Sequence, residues 1–286
     1  MTKFLAFSPN SEFRICDINE VFSAMILSNF HTHTTYCDGK DTPEEMVLAA
    51  IDNGMHAIGF STHSYTSRDL SYCIKKEKIE NYKKEINALK EKYKDKINIY
   101  CGSELDVISD MDRDGFDYFL GAVHYIDIDG TLLTVDGSAD EQTRDAEKYF
   151  GGDMLSYCEA YYEMTKKIAD LPEVGFIAHF DLVTKFNENY ELFDEKDPRY
   201  VKAWQDAALH LIKMGIPFEI NTGAISRKKR TTPYPRREIA DFIKEHGGTF
   251  IMTSDCHDRN YLLCHFEESD KIYEGIEVLD FEDMLK

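Results

Sequence analysis

No apolar run in the chain comes close to the roughly 20 residues that a membrane-spanning helix needs. Basic residues are scarce as well: 33 Lys and Arg stand against 53 Asp and Glu, a formal net charge of -20. Phosphate backbones and anionic lipid surfaces are gripped by clustered Lys and Arg, so this balance argues against a nucleic-acid or membrane partner. Any anionic substrate must then be met by a locally positive site. Paired cysteines of the CxxC kind are missing. Seven cysteines stand singly, at Cys16, Cys37, Cys73, Cys101, Cys158, Cys256 and Cys264, which excludes a disulfide framework and reads as a reduced, cytoplasmic chain. The opening residues, Met1 to Pro9, lack the basic start, apolar stretch and cleavage site of a secretory signal. Internal repeats, low-complexity segments and linkers are absent too, so a single domain is expected.

What is present is enough apolar residue, 43% of 286 positions, to bury a sizeable core. From about Met25 onward, β-rich runs alternate with amphipathic helical runs. Strands are expected at Ile26 to Phe30, Ala57 to Ser61, Ile97 to Cys101, Tyr118 to Val123, Val174 to Ala178, Pro217 to Ile220 and Thr249 to Thr253. The first helix opens on Thr42, Pro43 and Glu45, a capping box with proline at the first helical position, and closes at Gly54. In the second, Ile79, Tyr82, Ile86, Leu89 and Tyr93 recur at steps of three and four. Later helices are expected around Met154 to Ala169, Pro198 to Met214 and Pro235 to His246. Repeated βα units of this number point to an α/β fold of the TIM-like barrel kind, slightly incomplete.

The histidines and carboxylates are placed with respect to those strands. His31 and His33 end the first, His63 follows the second, Glu104 the third, His124 the fourth, His179 the fifth, and Asp255 with His257 the seventh. Strand ends of one polarity share one face of a parallel barrel, so these residues are expected to converge. In extended backbone the two members of His31–His33, and of Asp255–His257, project to the same side and can reach one ion. Imidazole and carboxylate donors without a thiolate set suit open sites for Zn, Mn or Fe. Asp38 is a weaker candidate, because Asp38-Gly39 also reads as a turn. His56, His210, His246 and His265 lack a partner motif and are read as structural; thiolate binding by Cys37 or Cys256, beside the candidate ligands, is a minor alternative.

FHTHTTYCDG, GFSTHS, CGSELDV, LGAVHYI, IAHFDLVTKF and TSDCH, in this order, resemble the successive motifs of the polymerase-and-histidinol-phosphatase (PHP) family, and within it those of the single-function histidinol-phosphate phosphatases. The resemblance spans nearly everything after Met25. It implies a distorted (β/α)7 barrel as one domain over 25–286, with residues 1–24 as an N-terminal extension, and three divalent metal ions. Carried over by position, His31, His33, Glu104 and Asp255 would bind one ion; Glu104 would bridge to a second held by His124 and His179; Asp38, His63 and His257 would bind the third. Some relatives carry histidine where Asp38 stands.

The implied activity is hydrolysis of a phosphomonoester, L-histidinol phosphate first, with water activated by the ions attacking phosphorus in line and no protein nucleophile. Asp255 or His257 is placed to protonate the leaving oxygen. For substrate contacts, Arg227 in the loop after the sixth strand and Lys185 after the fifth are expected to meet phosphate, Asn221 to orient substrate or to cap, and Asp106 to receive a substrate ammonium. Three rivals remain: a phosphatase of the same family acting on another small phosphomonoester, a non-catalytic metal-binding module, and a nuclease-type editing domain, which the missing basic groove disfavours.

Overall fold

The β-rich runs pair in the order in which they occur, with one insertion. The computed structural model describes residues 27–286; the 1–24 extension, Met25 and Ile26 of the expected first strand lie outside the described residues. Strands β1 (Ser28–Asn29), β2 (Ala57–His63), β3 (Asn98–Asp106) and β4 (Tyr118–Ala122) lie side by side and parallel. A hairpin of β5 (Tyr125–Ile128) and β6 (Thr131–Thr134) stands outside the sheet, which continues through β7 (Val174–Ile177), β8 (Phe218–Asn221) and β9 (Phe250–Thr253), again parallel. Just beyond β9 and β1 the two edges meet. Cys256 and Thr32 form a parallel bridge, the His33 amide donates to the Cys256 carbonyl at 2.7 Å, and the Cys256 amide to the His31 carbonyl at 3.1 Å. The result is a nearly closed α/β barrel of seven parallel strands. Strands β2 and β3 run further than their apolar runs, so that His63 and Glu104 are themselves strand residues, paired in register.

Helix α1 (Pro43–Asp52) starts as its capping box requires: the Glu45 amide donates to Thr42 Oγ1 and the Thr42 amide to Glu45 Oε2. Gly54, at φ +71°, releases the chain after it. Helix α2 (Ile79–Tyr93) buries the five residues that its spacing singled out. Two layers of apolar side chains, on opposite flanks, join the outer helices to the sheet. A third cluster fills the lower barrel: Phe30, Tyr118 and Phe176 surround Phe281, with ring centroids 5.1, 5.6 and 4.9 Å from it. Aromatic burial of this kind closes the bottom and leaves the other mouth to polar residues.

One region departs from the expected pattern. Between Val123 and Met154, where no element is expected, lie the hairpin and helix α3 (Ala139–Phe150). Asp129 and Gly130 turn the hairpin, both at positive φ (47° and 88°). Arg68, in the loop after β2, ties that loop to the turn through Asp127 (2.6 Å) and the Gly130 carbonyl (2.9 Å). Helix α4 (Met154–Lys166), α5 (Pro198–Ile212) and α6 (Arg237–Glu245) follow where helices are expected. Among the described residues, no helix is long and apolar enough to cross a membrane.

Candidate metal centre

The C-terminal mouth of the barrel gathers all nine candidate ligands. Glu104, on β3 and nearly inaccessible, stands at the centre. Its Oε2 lies 2.9 Å from His63 Nδ1, 3.2 Å from His31 Nε2 and 3.4 Å from His33 Nε2; its Oε1 lies 2.8 Å from His179 Nε2 and 3.2 Å from His124 Nε2. Asp255 Oδ1 faces His33 Nε2 at 3.3 Å and His31 Nε2 at 3.5 Å. Asp38, the most exposed of the nine, sits 3.3 Å from His257 Nε2 and 3.6 Å from His63 Nε2. Four overlapping donor groups result: His33, Asp38, His63 and His257; His31, Glu104 and His179; His31, His33 and Asp255; His63, Glu104 and His124.

Backbone geometry contributes to this convergence. His179 (φ 28°) and Asp255 (φ 45°) both adopt left-handed backbone, a conformation costly for a side-chain-bearing residue and held only where the surroundings impose it. Gly223 makes room for the second: a Cβ there would lie 2.8 Å from Asp255 Cβ and 3.0 Å from a guanidinium nitrogen of Arg227.

The electrostatics is that of imidazoles packed against buried carboxylates. Burial alone would raise the Glu104 carboxyl, but His63, His31 and His124 outweigh it and hold it well below the usual carboxylate range. Burial likewise opposes ionisation of Asp255, and Arg227 with His31 overrides it. For His31, burial is outweighed by Glu219, Asp255 and Glu104, so the imidazole stays protonated well above its ordinary range. His63 and His124 are raised in the same way, burial being overcome by Glu104. His33 is the exception: burial, then His257 and His63, lower it to about 3. Its Nε2 is buried without a hydrogen-bond partner. An unprotonated, orphaned imidazole nitrogen among carboxylates is what a borderline divalent cation would satisfy, and the nitrogen and oxygen donor set fits such an ion. Burial pushes the neighbouring thiols up, Cys37 to about 11 and Cys256 to about 12.

A second layer orients these imidazoles. Asp106 Oδ2 accepts from the His124 amide and lies 2.9 Å from its Nδ1. The expectation that Asp106 receives a substrate ammonium is therefore corrected: the carboxylate is buried behind His124 and used to hold it. Of the two roles read for Asn221, orienting substrate or capping, the structure shows the capping one. Its Oδ1 accepts from the Gly223 amide at 2.8 Å and its Nδ2 donates to Glu219 at 2.9 Å, so it caps the helical turn Gly223–Ser226 and is fully buried, away from the cleft. Glu219 itself was not anticipated. It accepts from Asn221, the His179 amide and Thr253, and its Oε1 lies 2.6 Å from His31 Nδ1. The one signal in the sequence is a carboxylate inside the apolar run of β8.

Two cations border the cluster. Arg227 donates to Asp255 Oδ2 at 2.7 Å and to its carbonyl at 3.1 Å. Lys185 donates to the carbonyl (3.0 Å) and carboxylate (3.1 Å) of Asp136. Both line a cleft of about 160 Å³ over the ligand cluster. Of the histidines read as structural, His56 pairs with Asp280 at 2.6 Å near the start of β2, at the far end of the barrel, and His246 Nδ1 lies 2.8 Å from the Phe242 carbonyl.

A family profile described as the PHP domain matches residues 29–223. Among curated proteins, the chain is 26% identical over 258 residues to a Schizosaccharomyces pombe protein named "Probable histidinol-phosphatase", with 81% of this chain and 80% of that protein covered. A Deinococcus radiodurans protein of the same name is 25% identical over 260 residues, covering 86% and 92%. Among solved structures, histidinol phosphate phosphatase from Lactococcus lactis, complexed with zinc, L-histidinol and phosphate, superposes with a TM-score of 0.67 at 19% identity, over 88% of this chain and 95% of that one. At that identity the likeness speaks for the fold.

Proposed function

The chain belongs to the PHP-domain family, and from that premise we propose that it is a metal-dependent phosphomonoesterase whose substrate is L-histidinol phosphate, hydrolysed to L-histidinol and phosphate. The observation that carries this reading is the meeting of nine nitrogen and oxygen donors around Glu104, under a cleft bordered by Arg227 and Lys185. The names of the relatives support the choice of substrate.

We assign His31, His33, Glu104 and Asp255 to one divalent ion, Glu104, His124 and His179 to a second, and Asp38, His63 and His257 to a third, with Zn, Mn or Fe as the metal. Such ions would supply an activated water at neutral pH and neutralisation of charge on the phosphoryl oxygens. The protein's own part is to orient and to move protons. Arg227 turns from Asp255, and Lys185 from Asp136, to meet phosphate oxygens with charge-assisted hydrogen bonds. The charge of the ions would be what lets an acidic protein accept an anion. The leaving oxygen is protonated from the Asp255–His257 pair, of which His257 is the more open to the cleft, with 20% of its side chain exposed against 8%. Six free cysteines among the described residues support a cytoplasmic setting for the reaction.

Elemental analysis of protein purified without added metal, paired with phosphate release from L-histidinol phosphate, p-nitrophenyl phosphate and sugar phosphates, tests the proposal. The expected result is bound transition metal and the highest kcat/KM on L-histidinol phosphate. Metal-loaded protein that releases phosphate from none of them overturns it.

A further inference from the structure

Among the described residues, one group of histidine and carboxylate donors close enough together to hold an ion lies away from the mouth: His56, Asp280 and Glu282, at the closed end of the barrel. Its members come from opposite ends of the chain. His56 stands just before β2, and its backbone is fixed on both sides, the amide donating to the Leu27 carbonyl at 3.0 Å and the carbonyl accepting from the Asn98 amide at 2.9 Å. Asp280 and Glu282 flank Phe281, the ring that fills the lower barrel. The segment that carries them is tied to β9, where Val278 bridges Phe250 and the Leu279 amide donates to the Phe250 carbonyl at 2.7 Å.

Each of the two carboxylates divides its oxygens between two tasks. Asp280 Oδ1 accepts from Ser28 Oγ at 3.0 Å and from the Glu282 amide at 3.1 Å; Glu282 Oε1 accepts from Asn98 Nδ2 at 2.6 Å and from the Tyr100 hydroxyl at 2.8 Å. The remaining oxygens face one imidazole nitrogen. Asp280 Oδ2 lies 2.6 Å and Glu282 Oε2 3.8 Å from His56 Nε2. The Glu282 side chain is only 5% exposed, yet among the described residues no hydrogen-bond donor serves its Oε2. Lys286 comes within 3.5 Å of that oxygen, but it is 60% exposed and donates to Asp283 at 3.0 Å. A buried carboxylate oxygen without a donor is costly, and a cation in this place would remove the cost.

We propose that His56, Asp280 and Glu282 form a separate metal site, for one zinc-like divalent cation, that pins the C-terminal segment and its Phe281 plug to the sheet. One imidazole and two carboxylates, each carboxylate oriented by donors behind it, make a donor set for a borderline ion with its supporting layer in place. A tetrahedral ion with bonds of about 2.0–2.2 Å sets its donors about 3.4 Å apart. The His56–Glu282 pair at 3.8 Å is near that spacing, and the 2.6 Å pair reaches it when the 43% exposed imidazole moves outward by less than about 1 Å. Water completes the coordination on the open side. The ion would join positions 224 residues apart, and clips that close long loops restrict the unfolded chain most. Its role is stability, independent of the chemistry at the mouth.

The test uses the full-length protein and zinc as the probe. His56→Gln removes the imidazole, and Glu282→Gln removes the charge while keeping an acceptor for Asn98 and Tyr100. Two quantities are read: zinc bound per chain after equilibrium dialysis against buffered free zinc, and the change in unfolding midpoint that the same zinc concentration produces. Zinc at the mouth is common to all three proteins and cancels in the comparison. The unsubstituted protein should hold about one ion per chain more than either variant, and zinc should raise its midpoint further than theirs. Equal zinc content in the unsubstituted protein and the variants overturns the site. His56 and Asp280 would then be an ion pair alone, and His56→Gln would lower the midpoint equally with and without zinc. Should one variant fail to fold, the zinc content of the other decides.

Discussion

His31 Nδ1 lies 2.6 Å from Oε1 of Glu219, both side chains being fully buried. The contact fixes the ring: with Nδ1 occupied by the carboxylate, Nε2 is left to face Glu104 and Asp255. Carboxylate–imidazole pairs of this type orient a ligand and raise its basicity. Glu219→Gln should therefore lower metal affinity about 10- to 100-fold, measured by competition with a chromophoric chelator. Unaltered affinity in a folded variant would show that Glu219 serves packing alone.

His33 and Asp255 provide a direct test of the ligand set. His33→Ala removes the orphaned nitrogen, and Asp255→Ala removes the carboxylate that faces both His31 and His33. Each should reduce bound metal per chain and abolish phosphate release, read by elemental analysis and a phosphate assay. A fully metallated, fully active variant would contradict the assignment.

Proton release should accompany metal binding. In the metal-free protein His31, His63 and His124 hold their protons above the ordinary imidazole range, because Glu219 and Glu104 outweigh burial. A cation at neutral pH must displace those protons, so affinity rises with pH until the imidazoles are neutral and falls as the solution is acidified. Calorimetric titration with zinc in buffers of different ionisation enthalpy should give different apparent heats. Heats independent of buffer would mean that the site is already deprotonated.

Arg230 anchors the loop that carries Arg227. It is buried against Asp181 (3.4 Å) and Thr184 (2.6 Å), in the segment that leads to Lys185. Asp181 remains above the usual carboxyl range because burial outweighs Arg230, and its Oδ1 has no hydrogen-bond partner. Deleting the cation would leave that acid buried with only the Arg236 amide donating to its carboxylate. Arg230→Ala should cost about 3 kcal/mol or more of stability, measured by denaturant unfolding of the metal-free protein. A loss below about 1 kcal/mol would place the pair with exposed ion pairs in its contribution.

The candidate ligands were legible because all but Asp38 couple a polar side chain to a strand end, and β-strand alternation puts His31 with His33 on one side. The α2 face and the α1 cap were legible for equally local reasons. The hairpin was there to be read, since Asp129-Gly130 between alternating residues is a turn signal, but its strands are four residues each and half exposed, so the pattern is faint. Asp106 was singled out but for a different partner, and Glu219 escaped for a different reason. Every residue of β8 is buried, so alternation no longer separates an inner from an outer face, and a strand carboxylate reads the same whether it faces solvent or a histidine.

What the sequence determined by itself was periodicity and donor chemistry: which runs become strands and helices, and which residues could grip a cation. Those depend on neighbours within a few positions of one another. Tertiary closure decided the rest. Only when Thr32 and Cys256 bridge the two edges does Glu219, on β8, come within reach of His31, just past the end of β1 and 188 positions away. Which carboxylate supports a ligand and which is left to face a substrate depends on the curvature of the sheet, and curvature is a property of all seven strands at once.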